Sequence, residues 1–395
     1  MNSVFITATG VVTNKGVGLD AQRQYWASEQ TVSTSNYELT GFKAAPYLSD
    51  KRLLKAVSEA DAIGIVAIED LKKSFAGSLQ ENSYRNGFYV GSPPASAFDN
   101  QFYFESMEAA RRDGNSSVTE FGATCMQSKP TTLLIGLPNN VLCYGSILLG
   151  IKGPNSNYTS TFLSGHIALI NAAKRIRRGQ VDTAVAGGFA MHSEKVNSSM
   201  FEKLGVASVD ADKAKADGVA QIADGAVFLG LTNETKDGQK CLEFIDGRIS
   251  SDSAGPLNLD RYGHSYEKLI NDLLACNSVN KESVGLIFAN SSGESHLDAC
   301  ENTVLSRVYA NERVLPALGC SRKVFGNLME AGGLIEFSCI NDLYDRGELP
   351  SQMTLPEYNN EQQTFSKTID PTRPYALVLR ASPWGEYSAV LVKIN

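Results

Sequence analysis

The residue types that carry most enzyme chemistry are thinly and singly distributed along this chain. Its 395 residues hold only four histidines, His166, His192, His264 and His296, which limits any mechanism built on imidazole bases. The seven cysteines, at positions 125, 143, 241, 276, 300, 320 and 339, form no CxxC pair and no histidine ladder of metal spacing accompanies them; they read as reduced, small buried hydrophobes. His296 stands close to Asp298 and Glu301, a grouping that would make a metal corner, but a loop histidine is the simpler reading and no metal or other cofactor is expected. Ser160, Thr161 and Ser164 precede His166. A hydroxyl nucleophile there would lack a base, because His166 is expected to point into helix packing. The basic group Lys174, Arg175, Arg177 and Arg178 fits a helix end, where cations compensate the dipole.

The elements that must position these residues follow from periodicity. Short apolar or β-branched runs at 4–9, 87–91, 183–188, 227–231, 285–290 and 376–379 alternate with helical stretches such as 55–75 and 140–149. That alternation predicts an α/β fold. Two stretches match in layout: 165–179, GHIALINAAKRIRRG, and 333–347, GLIEFSCINDLYDRG, have equal length and a glycine at each end. The strand–loop pieces GFYVGSPP and LIFANSSG hold comparable places ahead of them. A duplicated α/β unit is expected, with halves 1–245 and 246–395 forming one compact body.

With 43% apolar and 20% charged residues, the chain can bury a large core and should be globular throughout. Its net charge of -7 argues against a phosphate-binding surface, so nucleic acid is not expected as a partner. The start runs straight into an apolar strand-like stretch without a basic leader, and no run reaches the length of a membrane span; a cytoplasmic protein is expected.

The stretch 153–188, GPNSNYTSTFLSGHIALINAAKRIRRGQVDTAVAGG, resembles the active-site region of β-ketoacyl synthases, where GPN, a short strand, a nucleophile turn, SG, a long helix, GxxD and AGG follow in that order. ITATGVVTNKG looks like the family's first strand and turn, ADGVAQIADGA like its RDGFVxGEGA segment, and Asp298 to Glu301 match its DxxE. The resemblance covers essentially the whole chain and implies a thiolase-like fold, with duplicated αβαβα layered halves related by a pseudo-twofold.

The reacting positions of that family are occupied otherwise here. The nucleophilic cysteine, three residues before the SG glycine at a helix mouth that lowers its pKa, is replaced by Phe162, which has no lone pair and forms no acyl-enzyme. The two histidines that polarise a malonyl thioester are replaced by Asn290, eight residues before Asp298, and Asn327, in RKVFGN. An amide donates a hydrogen bond but does not exchange a proton near neutrality. The glycine-rich GFGGxN turn is replaced by the stretch from Arg380 to Tyr387, RASPWGEY.

The resemblance therefore implies a chain length factor of a type II polyketide synthase, most like those of aryl polyene systems: an inactive subunit that forms a heterodimer with a cysteine-bearing ketosynthase. Tyr158, Ser160 and Thr161 would lie at the subunit seam. Thr131, Thr132, Leu133, Leu134 and Leu137 would reach the partner's acyl tunnel. Arg52 and Lys55 would meet an acidic acyl carrier protein. The alternatives are a condensing or acyl-transfer enzyme with a different nucleophile, and a homodimeric acyl-binding scaffold.

Overall fold

The computed structural model describes residues 2–27, 37–39, 41–93, 107–108, 110–112, 115–126, 135, 137–192, 195–235, 238–252, 254–359 and 363–395. Ten strands build the main sheet: β1 (Phe5–Thr13), β2 (Asn86–Gly91), β3 (Asn155–Tyr158), β4 (Thr183–Ala190), β5 (Gly225–Thr232), β6 (Leu242–Ser251), β7 (Val284–Phe288), β8 (Ala317–Gly319), β9 (Tyr375–Ala381) and β10 (Glu386–Ile394). The short strand Gly16–Val17 pairs with β1 off this path. Along the sheet the order is β8-β7-β9-β10-β6-β1-β5-β4-β2-β3.

This order is a duplication. Read outward from the β1/β6 joint, where Phe5 faces Glu243 and Ile6 faces Leu242, each half runs first, fifth, fourth, second, third strand. The pairing senses repeat as well: the two inner junctions are antiparallel and the two outer ones parallel in both halves. The second unit opens with β6, so position 245/246 lies inside that strand.

Side chains alternate along the strands between two cores, as a period of two requires. Ala184 and Ala186 of β4, Leu286 and Phe288 of β7, and Ala376 and Val378 of β9 face a central cluster with helices α3 (Ser164–Arg177) and α6 (Glu336–Arg346). Their neighbours face outward: Val185 and Phe189 pack under α1 (Glu59–Phe75) and α2 (Asn140–Leu149), and Ile287, Leu377 and Leu379 under α4 (His264–Cys276) and α5 (Ser295–Val308). The layers are thus αβαβα, the thiolase-like arrangement. The two related stretches 165–179 and 333–347 supply the two central helices.

Local chemistry sets the helix ends. Ser58 and Asp61 form a reciprocal capping box at the start of α1, satisfying two backbone donors. At the end of α3, Arg177 donates to the carbonyls of Phe244 (2.9 Å) and Ile245 (2.6 Å), so part of the basic cluster ties the first unit to the second. The two edges of the sheet differ. The β8 edge is covered by the later chain: Leu318 N donates to Ser366 O at 3.1 Å and Cys320 N to Met353 O at 2.8 Å, with bridges Ala317–Ser366 and Gly319–Thr354. Among the described residues no strand or bridge covers the outer edge of β3.

Candidate functional site

β3 ends at Tyr158, and the chain passes through one 3-10 turn, Thr161–Leu163, into α3. Two glycines let this helix mouth close on the second unit. A Cβ at Gly165 would lie 2.4 Å from the carbonyl oxygen of Glu330, and one at Gly188 would lie 2.3 Å from the same atom. Gly165 and Gly188 are therefore required by the approach of one backbone carbonyl.

Phe162, at the helix mouth, is 2% exposed. It packs with Leu163, Ala190, Val206, Ile222 and Met329, and its ring meets Phe201 (centroids 6.3 Å, 76°) and Trp384 (6.4 Å, 70°) edge to face. Trp384 comes from the stretch that replaces the family's glycine-rich turn. Phe162, expected at the position of the family's nucleophile, is an apolar plug held by aromatic contacts.

Asn290 and Asn327 follow β7 and β8, which are parallel neighbours, so both lie beyond the same end of the sheet. Both are buried. The Asn290 backbone N–H donates to Glu301 at 2.9 Å, while its amide Nδ2 and Oδ1 have no partner among the described residues. Asn327 Oδ1 accepts from Met329 N (3.1 Å) and from an Arg380 guanidinium nitrogen (3.4 Å), and its Nδ2 is unpartnered. Met329, two residues beyond Asn327, touches Phe162, which brings the Asn327 segment and the plug together across the two units.

The two carboxylates of DxxE hold the Asn290 turn. Glu301 accepts from Asn290 N and Ser291 N (both 2.9 Å), from Tyr266 Oη (2.7 Å) and from Tyr358 Oη (2.9 Å). Asp298 accepts from Ser292 Oγ (3.1 Å) and Gly293 N (2.9 Å), and burial pushes its carboxyl up to about 7. Both therefore serve backbone geometry. His296 is exposed on the first turn of α5, and among the described residues no three metal-ligating side chains converge.

His166 bonds with both nitrogens: Nε2 donates to Gly333 O (3.1 Å), so Nδ1 accepts from Ser388 Oγ (2.9 Å). Burial drives its pKa down to about 3, and it remains a neutral cross-link between the units. The Ser160 hydroxyl donates to Glu386.

Three features escaped the sequence reading. His192 Nε2 pairs with Glu330 at 2.8 Å, both side chains at 1% exposure or less, with Phe201 edge-on to the imidazole at 5.1 Å. Arg380 is a buried guanidinium whose pKa burial lowers against the nearby carboxylates of Glu336, Glu301 and Glu330. Glu386 clasps Ser160. All three join distant segments: His192 to Glu330, Arg380 to Met329 and Ser160 to Glu386, a range that local motifs do not report.

Of the expected surface residues, Tyr158 lies half-buried at the end of the open edge strand, Thr161 opens the 3-10 turn, and Leu137 is 42% exposed. Thr131, Thr132, Leu133 and Leu134 lie outside the described residues. Arg52 and Lys55 are exposed on the 3-10 helix Lys51–Lys55. Arg52 pairs with Asp50 at 2.7 Å, which holds that carboxyl down at about 2. Among the described residues no helix is long and apolar enough to cross a membrane.

Comparison with known proteins agrees with this architecture. Residues 99–234 match the model described as "Beta-ketoacyl synthase, N-terminal domain". The chain is 24% identical over 222 residues to a phenolphthiocerol/phthiocerol polyketide synthase protein of Mycobacterium tuberculosis, an alignment covering 54% of this chain and only 14% of that protein's length. Among solved structures, the ishigamide ketosynthase/chain length factor superimposes with a TM-score of 0.79 at 15% identity, covering 100% of this chain and 99% of the other. The ketosynthase ApeO in complex with its chain length factor ApeC from Xenorhabdus doucetiae gives 0.74 at 14% identity, covering 100% and 98%. Residues 99–234 thus resemble the N-terminal domain of β-ketoacyl synthases, and the chain as a whole carries the thiolase-like fold of these solved structures.

Proposed function

We propose that this chain is a non-catalytic ketosynthase-like subunit, a chain length factor, that pairs with a cysteine-bearing ketosynthase and shapes the acyl tunnel in type II polyketide or aryl polyene synthesis. The observation that carries the reading is Phe162, which fills the nucleophile position and is sealed by Phe201 and Trp384. Asn290 and Asn327, at the positions expected to carry the family's histidines, offer amides in place of imidazole proton acceptors. Loss of one member of such a catalytic set costs roughly 10⁴ to 10⁶ in rate.

The partner would add along β3, whose outer edge no strand or bridge covers among the described residues, giving main-chain hydrogen bonds between subunits. Tyr158, Ser160 and Thr161 would lie at that seam, and Thr131, Thr132, Leu133, Leu134 and Leu137 at the partner's tunnel. Lys55, exposed and without an ion pair among the described residues, and Arg52 would meet an acidic carrier protein by salt-sensitive docking.

The test is purification of the chain alone and after co-expression with a ketosynthase of the same system. Co-elution as a one-to-one pair is expected, with no mass increase on this chain after incubation with acyl- and malonyl-carrier proteins. Covalent acylation or condensation by the chain alone would sink the proposal and favour an enzyme with another nucleophile. A strict homodimer after co-expression would favour an acyl-binding scaffold.

A further inference from the structure

We infer that the cleft at the C-terminal end of β3 receives a lysine or arginine side chain from the subunit docked along that strand. This rests on the pairing proposed above. The cleft is lined by Tyr158, Thr159, Ser160, Ile167, Trp384 and Glu386. Two aromatic residues, two hydroxyls and one carboxylate make a surface suited to a cation.

Glu386 reaches the cleft because the β9–β10 connection is tight. Ser382 N donates to Glu386 O (2.8 Å) and Gly385 N to Ser382 O (3.1 Å). Pro383 sits where a turn wants a fixed φ, and Gly385 takes φ 77°. The carboxylate accepts from Ser160 Oγ (3.0 Å to Oε2, 3.1 Å to Oε1) and Ser382 Oγ (3.3 Å). Among the described residues it has no ion pair. Each hydroxyl supplies one proton, so a carboxylate with about four lone-pair sites keeps acceptor capacity for a cation arriving from outside.

Twofold pairing along β3 sets the partner residue. A twofold axis crossing the seam makes the two edge strands antiparallel, which places the residues just ahead of the partner's edge strand opposite Ser160 and Glu386. A basic residue there would bond the carboxylate. In a second copy of this chain the corresponding residue is Lys152, exposed and three residues before β3, so self-pairing is the competing occupant.

Agmatine serves as a guanidinium probe, read by the fluorescence of Trp384; Trp26, the other tryptophan, is 1% exposed. A saturable change is expected in the wild type and in Lys152→Gln, and its loss in Glu386→Gln. In the co-expressed pair, Glu386→Gln is expected to raise the dissociation constant about tenfold and flatten its salt dependence. Absence of an agmatine response in the wild type, or equal behaviour of wild type and Glu386→Gln in both assays, overturns the inference. If agmatine binds through Glu386 but no ketosynthase pairs, the cation site stands and the heterodimer reading falls. If the pair forms and ignores Glu386→Gln, the reverse holds. If Lys152→Gln dissolves a wild-type dimer, the occupant is a second copy and the assignment to a ketosynthase falls.

Discussion

Trp384 and Phe162 meet edge to face with ring centroids 6.4 Å apart, so the β9–β10 turn closes directly over the mouth of α3. The two segments expected to depart from the family pattern form a single packed contact.

Phe162→Ala should destabilise the chain by about 3–5 kcal/mol, the usual cost of emptying a well-packed aromatic site, measured by urea denaturation. Phe162→Cys should cost less and still gain no condensing activity, because Asn290 and Asn327 remain. Intact-mass analysis and a product assay with carrier-bound substrates check this.

Gly165→Ala and Gly188→Ala place a methyl group within 2.4 Å of the Glu330 carbonyl, and backbone cannot give way as a flexible side chain does. Each variant should lose at least about 2 kcal/mol. Gly150→Ala, whose added Cβ would meet nothing within 4 Å but whose φ is 66°, separates steric clash from backbone strain; it should lose only about 1 kcal/mol.

Glu301→Gln halves the acceptors that hold the Asn290 turn while keeping its shape. Hydrogen exchange at Asn290 and Ser291 should accelerate, with protection elsewhere in β7 retained. Unchanged protection at both amides would show that the turn holds without the carboxylate.

Asp298 gives a pH signature. Its folded pKa of about 7 lies above the ordinary 3.8, so between those values the folded state holds a proton that the unfolded state releases. Stability should therefore fall as pH rises through that window, by up to about 4 kcal/mol from this group. Asp298→Asn should remove that slope in a series of denaturation curves, and an identical slope in the variant would refute the assignment.

The sequence showed most of the fold because the helix and strand periods of the two units are regular, and the glycine-bounded stretches 165–179 and 333–347 both became central helices. Helix 140–149 agrees in both bounds. The stretch 55–75 divides, because Ser58 caps a new helix at Glu59 and leaves Lys51–Lys55 as a separate 3-10 turn. At the site, the burial of Phe162, Asn290 and Asn327 follows from a spacing that motifs can carry. The His192–Glu330 pair, the Arg380 guanidinium and the Glu386 clasp depend on two units folding against each other, and no local pattern records them.

The unequal sheet edges decide how far assembly can go. Residues 353 and 366 occupy the outer edge of β8, while among the described residues no strand or bridge covers β3, the edge at which the proposed pairing would take place. A strand added at β3 by a chain of the same build presents its own blocked end outward. Under the proposed pairing growth would stop at two subunits, and the hydrogen-bonding surface that joins them would not propagate into a fibre.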